Sequence, residues 1–146
     1  DIVIVSAGGF PKDINVYQAQ KALDNALWAV LRGGVVIWVA SCGEGLGSKT
    51  FSDWIKKAEK PEDLIERVKS DFELGGHKAA AIALALKKAS ILMVSDLDDE
   101  VVRSIFVEPA ENLERAVEKA FSLAGPRAGV IVMPAGGSTL PIPREQ

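Results

Sequence analysis

The chain has 146 residues, 48% hydrophobic and 25% charged, the make-up of an ordinary globular protein with enough apolar material for one closed core. Seventeen basic and 20 acidic residues leave a net charge of -3, so no global field draws it to nucleic acid or to anionic lipid. The single cysteine, Cys42, excludes an internal disulfide and lacks the CxxC companion of a zinc site, and no apolar run approaches the ~20 residues of a membrane span. These features predict a cytoplasmic protein without nucleic-acid or membrane partners. The chain opens on Asp1-Ile2-Val3-Ile4-Val5, inside an expected strand and without a methionine, which reads as one domain of a longer polypeptide.

Residues 2–6 form a continuous β-branched run, the pattern of a strand buried on both faces. Asn15 is placed to cap a helix that runs to about Arg32 and stops at Gly33-Gly34. Residues 35–40 predict a second buried strand, and a glycine-rich loop follows at 41–48. Two short helices are expected at 49–58 and, with Pro61 at a favoured first-turn position, at 62–72. The alanine-rich segment 77–89 is apolar nearly all round and predicts a buried helix. Residues 91–95 predict a third strand, 101–107 a short helix leading into a brief strand, 111–124 a helix, and 130–133 the last strand. Solid apolar strands alternating with helices define an α/β class: a three-layer α/β/α domain on a mostly parallel, Rossmann-like sheet. The turns at 6–9, 41–48, 95–96 and 134–138 then gather at one edge, where such sheets bind ligands.

On a wheel of about 100° per residue, Ala19, Ala22, Leu23, Ala26 and Val30 form the core stripe of the first helix. Tyr17, Lys21, Asp24 and Trp28 fall on the opposite side with Gln18 at its margin, and two aromatics there predict a covering partner. Lys21 beside Tyr17 and Gln18 near a helix N-terminus suits a carboxylate: ammonium for charge, phenol and amide for direction, the helix dipole in support. The competing reading pairs Lys21 with Asp24 or Asp13 on a solvated face and packs Tyr17 on Trp28.

Gly43-Glu44-Gly45-Leu46-Gly47-Ser48-Lys49-Thr50 resembles a nucleotide loop but departs from it, since Ser48 separates the last glycine from the lysine and the spacing is GxGxG. A tight turn with positive φ is the favoured reading. Cys42 is either a reactive thiol or, as favoured here, a small packed residue at a strand end. His77 follows Gly75-Gly76 at a helix start with Lys78 beside it, and reads either as bonded to backbone or as a secondary donor at the crevice. Residues 136–139 offer backbone N–H groups to an anion or simply turn the chain.

Four blocks carry a family resemblance: GGFPKDINVYQAQKA at 8–22, GGVVIWVASCGEGLGS at 33–48, FELGGHKA at 72–79 and MPAGGSTLP at 133–141. Together they resemble the C-terminal domain of the nickel-dependent lactate racemase family. The resemblance implies a two-domain 2-hydroxyacid racemase or epimerase using a nickel-pincer nucleotide, which takes the C2 hydride while a histidine removes the hydroxyl proton. It also implies that the cofactor, its lysine and the catalytic histidines lie in an N-terminal domain, leaving this part without catalytic residues, without metal and inactive alone. Tyr17, Gln18 and Lys21 match the substrate-facing positions, with Lys21 as carboxylate anchor, and His77 and Lys78 are secondary candidates. The partners implied are that N-terminal domain and a small 2-hydroxy acid. A tryptophan that the family places near the substrate has no counterpart after His77, where the helix is alanine, which favours a larger or different hydroxy acid. The alternative from another class is a non-catalytic module that binds a small anion or a nucleotide.

Overall fold

A computed structural model describes residues 1–142. Strands β1 (Ile2–Ser6), β2 (Val35–Val39), β3 (Ser90–Val94), β4 (Glu108–Pro109) and β5 (Val130–Met133) form one sheet in the order β4-β3-β2-β1-β5. Every pairing is parallel, with Ile2 opposite Val35 and Val130, and Val35 opposite Ser90. Connecting parallel strands requires crossovers, supplied by α1 (Val16–Ala26), α2 (Lys49–Lys57), α3 (Pro61–Ser70), α4 (Gly76–Lys88), α5 (Asp99–Ser104) and α6 (Leu113–Ala124). Among the described residues no helix is long and apolar enough to cross a membrane.

The period-2 alternation of strand side chains divides the core in two. Val3, Val5, Val36, Trp38, Ile91 and Met93 face the layer built by α1 to α5, packing on Leu23, Phe51, Trp54 and Ile82. Ile2, Val35, Ile37 and Leu92 face α6, which presents Ala116 and Ala120. The three-layer expectation therefore holds, with unequal layers. Because α6 lies mainly over β2 and β3, the outer strand β5 keeps Val130 and Val132 exposed on that face, and Ile131 is exposed on the other.

The first helix is shorter than its periodicity predicts. It ends at Ala26, and the Trp28 and Ala29 N–H groups reach back only three residues, to the Asn25 and Ala26 carbonyls, tightening the last turn. Lys88 at the end of α4 donates to the Leu27 carbonyl, a cation at the negative end of α1. Lys78, ten residues earlier on α4, donates to the Tyr17 carbonyl at 2.7 Å. The two helices thus run parallel, tied at both ends.

Candidate functional site

Strands β2, β3 and β4 lie to one side of β1 and β5 to the other, so the chain changes direction between β1 and β5. At such a point the loops leaving the two strands diverge and open a crevice beyond their carboxyl ends. Here it is a cavity of about 240 Å³ whose polar side chains are Lys12, Gln18, Lys21 and Ser138. Ala7, Ala19 and Ala22 supply the small residues of its wall.

Close approach of the β5 turn to α1 shapes this cavity, and glycine makes the approach feasible. A Cβ on Gly136 would stand 2.2 Å from Val5 Cγ2 and 3.2 Å from Ala22 Cβ. The Asn25 amide fixes the same turn by donating to the Gly136 carbonyl at 2.7 Å. From the other wall, Lys12 Nζ donates to Ser138 Oγ at 2.9 Å, joining loops 126 residues apart. The N–H groups of Ser138 and Thr139 are taken by the Ala135 and Gly136 carbonyls within the turn, which favours the plain turn over the anion cradle as the reading of 136–139.

The N-terminus of α1 departs from expectation in a way that matters for its chemistry. Asn15 caps the helix, its side chain accepting from the Gln18 N–H at 2.9 Å. The two preceding amides are satisfied by the glycine-rich loop: Val16 donates to the Gly45 carbonyl at 3.0 Å and Tyr17 to the Leu46 carbonyl at 3.2 Å. Positive φ at Gly45 (72°) and Gly47 (90°) folds the loop over the helix start, and a Cβ on Gly47 would meet Asn15 Cγ at 2.6 Å. The loop is a cap for α1. An anion in the crevice is therefore met by side chains, because these helix-end amides are already used.

Lys21 is exposed, and the ion pairs among the described residues involve other cations. The competing arrangement of its neighbours is not adopted. Asp24 accepts from Gln20 Nε2 at 2.6 Å and Asp13 accepts from the Ser41 N–H at 3.3 Å. Burial is the main influence on the Asp24 carboxyl and raises its pKa, against the opposing effect of the Gln20 hydrogen bond. Gln20 itself is buried, which the wheel does not single out.

Tyr17 is not left in water as its wheel position predicts. Its ring packs edge-on against Phe51, with centroids 6.2 Å apart, and Lys78 Nζ stands 4.1 Å from the ring centroid. Of the two aromatics expected to need a cover, only Trp28 remains exposed, at 63%. Half-buried Lys78 directs its charge to Tyr17, and desolvation lowers its pKa. His77 Nδ1 accepts from the Gly75 N–H at 3.1 Å, and its ring is 5.7 Å from that of Phe72. Neither Tyr17, His77 nor Lys78 lines the crevice, whereas Gln18 and Lys21 do. Lys12 and Ser138 escape a sequence reading because the signal that unites them is a tertiary contact between the first and last loops.

Cys42 is fully buried, with φ of 57°, and burial above all, then Asp13 and Asp96, pushes its thiol up to about 12. It is a packed residue and not a nucleophile. The folded chain holds this proton above pH 9, where an unfolded thiol begins to release it, so this group's stabilising contribution is present below that value and declines towards pH 12. Urea midpoints at pH 8 and pH 10.5 are expected to fall less in Cys42→Ala than in the parent chain; equal falls would contradict this assignment.

A Rossmann-like sheet with two lysines in the crevice at its switch point is an α/β architecture whose crevice lies where such sheets bind ligands, and comparison with known proteins places it more narrowly. The family described as lactate racemase C-terminal domain matches residues 1–140, and the chain belongs to that family. It is 34% identical over 145 residues to the lactate racemase of Thermoanaerobacterium thermosaccharolyticum, covering 96% of this chain and 34% of that protein. To the lactate racemase of Lactiplantibacillus plantarum it is 31% identical, covering 93% and 33% respectively. The solved lactate racemase apoprotein from T. thermosaccharolyticum superposes with a TM-score of 0.90 at 32% identity, covering 96% of this chain and 35% of that one. The chain thus spans about a third of the length of the relatives it matches.

Proposed function

We infer that this chain is the substrate-side, C-terminal domain of a 2-hydroxyacid racemase, contributing a carboxylate-binding wall to a cleft shared with the remainder of the polypeptide. The observation that carries this reading is Lys21 in the switch-point crevice beside Gln18, with neither Asp13 nor Asp24 engaging it. In this reading the ammonium holds the substrate carboxylate and the Gln18 amide sets its orientation. Tyr17, held by Phe51 and Lys78, lies outside the crevice lining and, in this reading, supports the α1 turn that carries Gln18 and Lys21. Fixing the carboxylate fixes C2, and closing the cleft excludes water from the reacting atoms.

The family resemblance implies a nickel-pincer nucleotide. Among the described residues no group of three or more His, Cys, Asp or Glu is placed to hold a metal ion, and the crevice offers ammonium, amide and hydroxyl groups. These donors do not fit a nickel centre. The reading therefore assigns the cofactor and the acid–base histidines to the other part of the protein, and no step in this domain runs through them.

The test is racemisation by the full-length, cofactor-loaded protein across lactate and larger 2-hydroxy acids. Interconversion of the two enantiomers of at least one of them is expected. Failure with every hydroxy acid, alongside tight anion binding by the protein, would favour the non-catalytic anion-binding module instead.

A further inference from the structure

We propose that the crevice is a two-cation site in which Lys12, steered by Ser138, takes a second anionic group of the substrate, so that the ligand is a 2-hydroxy acid bearing a further carboxylate or phosphate. This rests on the reading that Lys21 holds the first carboxylate. Two ammonium groups, one from the loop after β1 and one from α1, line the same cavity, and among the described residues none of those lining it is acidic.

Lys12 is positioned by its surroundings. Its side chain passes between two glycines: a Cβ on Gly8 would stand 3.4 Å from Lys12 Cδ, and one on Gly137 would stand 3.9 Å from the same atom. Its Nζ meets a neutral partner, Ser138 Oγ at 2.9 Å, and none of the ion pairs among the described residues involves it. Since Ser138 Oγ accepts from Lys12, its own hydroxyl proton is left to donate to an anion. Ammonium and hydroxyl together suit a carboxylate or phosphate oxygen pair.

Charge balance then selects the ligand. With the helix-end amides of α1 engaged by residues 45, 46 and 15, the side chains carry the recognition. Within this wall a monocarboxylate neutralises one ammonium and leaves the other unpaired, and desolvating an unpaired ammonium is costly. A second anionic group removes that cost. The cavity of about 240 Å³ exceeds many-fold the roughly 10–15 Å³ that one water needs, room for more than a three-carbon acid.

The experiment measures dissociation constants of lactate, malate and 3-phosphoglycerate for the full-length protein by calorimetry at constant ionic strength, in the parent, Lys12→Met, Lys12→Arg and Lys21→Met forms. The parent is expected to bind malate or 3-phosphoglycerate at least tenfold tighter than lactate, and which of the two is preferred identifies the second group. Lys12→Met should weaken the preferred dianion more than threefold beyond any effect on lactate, shrinking the preference below threefold, and Lys12→Arg should retain it. Equal affinity of the parent for all three, or equal weakening of all three by Lys12→Met, overturns the proposal. If Lys21→Met alters nothing while Lys12→Met removes the preference, the carboxylate assignment to Lys21 fails and the Lys12 site stands; the opposite pattern sinks the Lys12 site alone.

Discussion

Lys21→Ala in the full-length, cofactor-loaded protein is expected to lower kcat/KM for the preferred 2-hydroxy acid about 100-fold, which is ~2.7 kcal/mol at 1.36 kcal/mol per tenfold. The size reflects removal of a charge-assisted hydrogen bond from a closed cleft, where it is worth far more than the same bond on an open surface. Lys21→Arg should recover part of the loss through KM, because a guanidinium restores charge but not the geometry of a compact ammonium. The folded chain should be almost indifferent to either change, since Lys21 is exposed and no ion pair among the described residues depends on it. Melting temperatures equal to the parent, combined with unchanged kinetics on every hydroxy acid tried, would remove Lys21 from the site.

Gly76→Ala carries the largest expected loss of stability. A Cβ at this position would sit 2.2, 2.4 and 2.5 Å from Trp54 Cε2, Cδ2 and Cζ2. The ring has nowhere to go: Trp54 is buried, its Nε1 donates to Glu73 at 2.7 Å, and the Arg67 guanidinium covers it at 4.2 Å. Accepting the methyl group means moving Trp54 off those partners or lifting the start of α4, which carries Lys78 and its contact with Tyr17. A cost of about 3 kcal/mol, at the upper end for overpacking, corresponds to a melting temperature lower by roughly 6–12 °C. Gly43→Ala is the control, because nothing lies within 4 Å of its Cβ position and its φ is ordinary. A Gly76→Ala chain melting within about 2 °C of the parent would show that Trp54 has room to shift.

Periodicity makes the sheet legible because a strand buried on both faces must be apolar at every position, as residues 2–5 and 35–39 are. The core stripe of α1 is equally legible, and Ala19, Ala22, Leu23, Ala26 and Val30 are all buried. Side-chain direction on the opposite face is not. Periodicity places Tyr17 beside Trp28, but it contains nothing about Phe51 or Lys78, which arrive from α2 and α4 and draw the ring inward. The glycine-rich loop is readable as a turn and unreadable as a cap, since its carbonyls reach α1 only once β1 and β2 are paired. Lys12 and Ser138 are hidden for the same reason, being neighbours only after β5 takes its place beside β1.

Cys42 is the only cysteine of these 146 residues, and it sits at the start of the loop that caps α1, sealed from solvent with its thiol pushed up to about 12. The native chain is consequently blank to maleimide and iodoacetamide chemistry at neutral pH. A cysteine placed at Phe10, which is 82% exposed on the loop that also carries Lys12, would take up a fluorophore as a single label without any prior removal of Cys42. The chain thus comes ready for site-specific optical reporting from the loop that brings Lys12 to its own crevice.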